Sequence, residues 1–175
     1  VLTTGFTQEF FTPFILFLGA GARHVGILNG AMNLFSSLIQ LFSAEIVERF
    51  KSRKKMVSVF IIVQLAALSV IVALSVTGRM NYWAFIALAV LFVAAGTVFQ
   101  PAWASFLCDL VGESKRGEYF GWRSRNLGLL GVAGMITAGI ILHRMEQKSL
   151  LYGFCLLFGL GLFSRLLSFL FLRRM

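Results

Sequence analysis

The chain has 175 residues, 58% of them hydrophobic and only 13% charged, with a formal net charge of +9. A mean hydropathy of +0.86 is far above that of ordinary soluble domains, which excludes a soluble enzyme or binding module. The basic balance does not call for a nucleic-acid partner, because membrane proteins keep Lys and Arg on the loops that stay in the cytoplasm.

About 20 apolar residues cross a hydrocarbon core of roughly 30 Å. Six such spans can be drawn, at 1–19, 25–46, 56–76, 82–107, 122–142 and 150–172, and no connection between them is long enough to be a second domain. The sequence therefore predicts an all-α membrane protein, a single six-helix transmembrane bundle over residues 1–175.

Span one carries Gln8, Glu9, Thr12 and Pro13. A charged side chain near the bilayer centre costs about 2.5–3.5 kcal/mol on insertion scales, so each one is a functional hypothesis by default. Glu9 is the clearest. It can bind H⁺ or Na⁺, grip a cationic ligand, or make a structural hydrogen bond to a neighbouring helix. Pro13 removes a backbone hydrogen bond and is expected either to bend the span or to be tolerated without a bend, as membrane helices allow.

On span two, Asn29, Asn33, Ser36, Ser37 and Gln40 recur at three- and four-residue spacing, which places them on one helix face. Such a face does not favour lipid, so it either packs on other helices or lines water, and a water-lined cavity is the expected use for it. The stretch after span two, "ERFKSRKK" over 48–55, holds one acid and five bases. Span four contributes Gln100, Pro101 and Trp103: an amide donor and acceptor, a second bend, and a stacking surface.

Span five contains Gly128, Gly131, Gly134 and Gly139. In span six, Arg165 stands eight residues before Arg173, about 12 Å along a helix; it can pair with an intramembrane acid or snorkel to the basic surface, and the second is the expectation. Cys108 and Cys155 have neither disulfide nor metal spacing and are expected to pack as small apolar residues. No metal or other cofactor is expected.

Orientation follows from the bases. Arg49, Lys51, Arg53, Lys54 and Lys55 follow span two, Lys115, Arg116, Arg123 and Arg125 follow span four, and Arg173 and Arg174 end the chain. The other side has only Arg23, Arg79, Arg144 and Lys148. The positive-inside rule then places both ends of the segment in the cytoplasm, with the cell (inner) membrane as the expected location. Tyr82, Trp83, Tyr152 and Trp122 fall where interfacial aromatics belong.

The only two prolines, Pro13 and Pro101, occupy spans one and four. Sliding span two onto span five by 95 positions pairs Gly26 with Gly121 and "ERF" with "HRM". An inverted 3+3 repeat would leave such a trace.

"AEIVERFKSRKKMV" resembles the loop signature of the major facilitator superfamily, with Glu48 and Arg49 as the acid–Arg pair and Arg53, Lys54 and Lys55 as the basic cluster. Ser52 stands where the family has a glycine, and Lys51 looks like an insertion. "FQPAWASFLCDLVGESKRGEYFG" resembles the end of span four and its following loop in the same family, through Asp109, Arg116, Gly117, Phe120 and Gly121. Span four lacks the arginine of many proton-coupled exporters, and span five lacks a Gly-Pro pair.

The resemblance implies the amino-terminal six-helix half of a twelve-helix secondary transporter that moves a small solute by alternating access. The partner it implies is a carboxyl-terminal half outside this segment, or a second copy in its place; the chain starts at Val1 rather than Met, which fits a longer native protein. It further implies a cytoplasmic gate of Glu48, Arg49, Arg53, Asp109, Arg116 and Gly117, in which Arg49 reaches Asp109. The cavity would be lined by Gln8, Glu9, Thr12, Asn29, Asn33, Gln40, Gln100 and Trp103, and membrane lipid would surround the bundle. A channel or scaffold built as a six-helix oligomer is the alternative. An intramembrane enzyme is not expected, because no G-x-S-x-G surrounds a serine and His24 and His143 both lie at span ends.

Overall fold

The structure, a computed structural model, describes residues 7–42, 45, 53–98, 111–112, 115–146 and 149–174. Among these it contains six α-helices and no strand. A 3₁₀ turn, Gln8–Phe10, leads into α1 (Phe11–Phe17); α2 (Ala22–Leu41), α3 (Arg53–Val76), α4 (Tyr82–Thr97), α5 (Arg116–Glu146) and α6 (Leu150–Arg174) follow. Stretches within α3, α5 and α6 are long and apolar enough to cross a membrane: Met56–Val76, Arg116–Met145 and Leu150–Phe171. The 20 residues of α2 match a membrane in length, but its amides, serines and glycines dilute its hydropathy.

The short connections fix antiparallel hairpins. After α1, Gly19 has φ +84°; its N–H bonds to Leu16 O and that of Ala20 to Ile15 O. After α3, Gly78 has φ +66°, with matching bonds from Gly78 to Ser75 O and from Arg79 to Leu74 O. Both are Schellman closures, in which a left-handed residue lets its own amide and the next one reach back to the last carbonyls. Any residue with a Cβ is strained at such a φ, so glycine is needed at both places. Asn81 then caps α4, its side chain accepting from Trp83 N at 2.6 Å, as N-cap amides do.

The helices pack in the spatial order α2, α4, α3, α6, α5, with α1 against α2 and α4. Leu68 of α3 lies against Gly161 of α6, and Gln64 meets Arg165; the residue numbers run in opposite senses, so these helices are antiparallel. In α5 and α6, Leu142 and Met145 close over Gly153, where a Cβ would come within 3.0 Å of Leu142 Cδ2.

The core is aromatic. Phe11 and Phe14 of α1 are fully buried together with Phe85 of α4 and Phe154 and Phe158 of α6. The Phe14 ring centroid lies 4.9 Å from Phe85, 5.1 Å from Phe154 and 5.0 Å from Phe158, all edge to face. In lipid the side-chain alternative is equally apolar, so close packing rather than expulsion from water holds such a core. The quadrupole of each ring favours these crossed contacts. Leu28 and Met32 of α2 and Leu68 and Ile71 of α3 complete the cluster.

The boundaries differ from expectation in one place that matters. The fifth helix begins at Arg116, six residues before the expected 122, so Arg116 and Gly117 lie in its first turn and not in a loop. Glu118 in that turn favours an early start, since negative charge is stabilising at a helix amino terminus.

Replacing Phe14 by Ala removes three edge-to-face contacts and is expected to destabilise the bundle by about 3 kcal/mol. Leu16→Ala, at a 49% exposed position on the same helix, should change stability by less than about 0.5 kcal/mol. Unfolding of the purified protein by denaturing detergent measures both.

Candidate functional site

The polar face of α2 turns away from the core. Leu28 and Met32 are buried, whereas Asn29, Asn33, Ser37 and Gln40 are all exposed along one side. Asn29 Nδ2 donates to its own helix, to Val25 O at 3.1 Å. Ser36 departs from the expected stripe: it is half-buried, and its hydroxyl oxygen is covered with no hydrogen-bond partner among the described residues.

At α1 the expected site residues divide. Gln8 and Thr12 are half-buried and Glu9 is exposed, on the side shared by Pro13 and Leu16 and away from Phe11, Phe14 and Ile15. The bend expected at Pro13 takes a different form. Proline supplies no N–H to the carbonyl of Glu9 four residues earlier, and the segment just upstream, Gln8–Phe10, is wound as a 3₁₀ turn. Pro13 therefore sits in the first turn of α1, where amides lack intrahelical partners anyway.

Of the gate residues, Arg53 opens α3. Arg116 is half-buried, and its Nε donates to Val111 O at 3.1 Å; Gly117 beside it is exposed. Glu48, Arg49, Asp109, Gln100, Trp103, Pro101 and Cys108 lie outside the described residues. Cys155 is a free, half-buried thiol on α6. Near the opposite end, His24 packs on Tyr82 and Trp83 at ring distances of 4.6 and 5.4 Å, with the Trp83 ring half exposed.

One buried polar group among the described residues bridges two neighbouring helices and was not among the expected ones. Gln64, in the middle of α3, is 3% exposed. Its Nε2 donates to Phe92 O of α4 at 2.8 Å, and its Oε1 accepts from Nη2 of Arg165 on α6. Arg165 thus turns into the bundle, and the snorkelling expected of it is corrected: a buried amide acceptor is within its reach. One signal in the sequence marks Gln64, an amide inside the strongly apolar stretch Met56–Val76. The intramembrane-polar rule that selected Glu9 applies to it equally.

Thr7 forms a second internal polar point. It is fully buried, and its methyl group sits where a Cβ on Gly161 of α6 would be. Thr7 and Gly161 lie one helical turn from Gln64 and Arg165, since Leu68 also faces Gly161. The residue that precedes the 3₁₀ turn is thereby seated against α6 one turn from the Gln64–Arg165 contact.

A family model described as Major Facilitator Superfamily matches residues 1–175, the whole chain. No curated protein and no solved structure matches it.

Two glycines of α6 should respond with opposite sign. Gly161→Ala places a Cβ against Thr7 and is expected to cost about 1–3 kcal/mol through overpacking. Gly159→Ala meets nothing within 4 Å and should be neutral or stabilising by up to about 1 kcal/mol through helix propensity. Thermal unfolding of the two variants in detergent makes the comparison.

Proposed function

This chain belongs to the major facilitator superfamily, and on that premise we propose that it forms the amino-terminal six-helix half of a secondary transporter moving a small solute by alternating access. The observation that carries the proposal is the exposed row Asn29, Asn33, Ser37 and Gln40 on α2. Hydrocarbon offers no hydrogen bonds to amides and hydroxyls, so such a row belongs against water or solute. With Glu9 exposed on α1, the two helices offer one acid and several neutral hydrogen-bonding groups to a central cavity. Gln8, Thr12, Gln100 and Trp103 complete the proposed lining, and the second half, or a second copy, closes it.

In this reading all six helices cross the membrane as an inverted 3+3 repeat, for which Pro13 and Pro101 in corresponding helices give support. The basic end faces the cytoplasm of an inner cell membrane. There Glu48, Arg49, Arg53, Asp109, Arg116 and Gly117 form the gate, with Arg49 latching to Asp109 when that face is shut. Glu9 carries the coupling ion, H⁺ or Na⁺, by changing between neutral or ion-paired and bare carboxylate states. The chain is a carrier and not an enzyme. A channel or scaffold would leave the acid on α1 and the amide row without a shared use.

Water access tests the cavity. In a background without Cys108 and Cys155, single variants Glu9→Cys, Asn33→Cys and Gln100→Cys are expected to react with a membrane-impermeant maleimide from at least one side. Leu129→Cys, at a 63% exposed apolar position on α5, should resist it. Glu9, Asn33 and Gln100 sealed from water under every condition would sink the carrier reading.

The latch is tested by a double-mutant cycle on Arg49→Ala and Asp109→Ala, scored by the same two-sided labelling. A partly dehydrated Arg–carboxylate pair should give a coupling of about 1 kcal/mol, near the upper limit for exposed pairs. Additive effects would remove it.

A further inference from the structure

We propose that Gln64 and Arg165 are positioning residues for α4: they tie the Phe92 carbonyl, through α3, to α6, so that the basic-end half of α4 moves only together with α3 and α6. The tie rests on geometry; its consequence for access to the cavity rests on the transporter reading above.

The amide is held at both ends with opposite polarity. Arg165 can only donate and the Phe92 carbonyl can only accept. Gln64 therefore has one possible orientation, Oε1 toward α6 and Nε2 toward α4. Glutamate would satisfy the arginine but present a second acceptor to the carbonyl. Leucine would satisfy neither. Among the twenty side chains, glutamine joins an acceptor and a donor at this reach.

The site is also cut to fit. Gly96 lies one turn beyond Phe92, and a Cβ there would stand 2.6 Å from Gln64 Nε2. The missing side chain is the slot through which the amide reaches the α4 backbone. The apolar surface of α4 around it includes Ala89, Ala94 and Ala95, all buried. Small side chains let helices approach closely, yet a smooth alanine surface resists sliding or rotation weakly. A directional hydrogen bond in a place that is 3% exposed, with no water to replace it, sets the register.

The consequence concerns the cavity. In sequence, Gln100 and Trp103 follow Gly96 by four and seven residues, so the angle and height of the Phe92–Gly96 turn are what the rest of that segment starts from. Freed from α3, this half of α4 would open the basic end while the opposite end, held by the Gly78 closure and the Asn81 cap, stayed as it is.

Hydrogen–deuterium exchange on the full-length protein in lipid nanodiscs tests this. Gln64→Glu, which keeps the acceptor and loses the donor, is expected to speed exchange of the amides at 94–98 by about tenfold, the scale of one net hydrogen bond. Exchange around 160–168 should not change. Gly96→Ala, which alters no polar atom, should reproduce the effect in α4, and Arg165→Lys, which retains a donor, should stay near wild type. In addition, in the background without Cys108 and Cys155, labelling of Asn33→Cys by a membrane-impermeant maleimide in oriented vesicles should rise from the basic side alone when combined with Gln64→Glu; a loosened bundle would raise it from both. Wild-type exchange at 94–98 in either Gln64→Glu or Gly96→Ala overturns the tie, as does an equal rise in α3, α4 and α6. If Asn33→Cys is unreactive even without the second substitution, the transporter reading fails, while the exchange data still judge the tie.

Discussion

A hydrogen-bonding group inside hydrocarbon must find its partner within the protein, and most of this bundle's distinctive features follow from that demand. Helices satisfy their own backbones, and apolar side chains are as content in lipid as in a core. What remains to distinguish one packing from another is the small set of polar side chains and the places where backbones come unusually close. Gln64 answers to both descriptions. It bridges Arg165 and the Phe92 carbonyl, and it does so where Gly96 leaves room.

The same chemistry has opposite uses on neighbouring helices. On α3 an amide is buried and both of its ends are committed. On α2 the amides of Asn29 and Asn33 lie exposed, the first with a single local bond to Val25 O. A buried amide with two partners specifies where helices sit. An exposed row at helical spacing presents hydrogen-bonding groups outward, which is what the proposed cavity lining requires. Burial, rather than residue type, separates the architectural amide from the candidate ligand-binding ones.

The aromatic cluster plays a complementary part. Phe11 and Phe14 anchor a short helix against α4 and α6 through crossed ring contacts, and Thr7 over Gly161 fixes its start. Between these points lies the 3₁₀ turn holding Glu9. The acid is thus carried on a stretch whose ends are firmly seated while its own side faces outward. Such an arrangement keeps the position of a charge defined without burying it.

Composition and hydropathy were enough to establish a helical membrane protein, because apolar runs of span length have few other fates. The charged connections pointed to the family, and the spacing on α2 predicted a shared polar face, since 3.6 residues per turn fixes which side chains align. Helix ends were less legible: α5 starts at Arg116, where Glu118 in the first turn favours the early start. Arg165 and Gln64 were not legible as a pair. They lie 101 positions apart, and nothing local to either says whether an arginine reaches the surface or a neighbour's amide. The linear order of residues determines which segments are helical and which faces are polar, through short-range periodicity. Only the antiparallel packing of α3 against α4 and α6 decided which polar groups meet, because that depends on the register of distant segments.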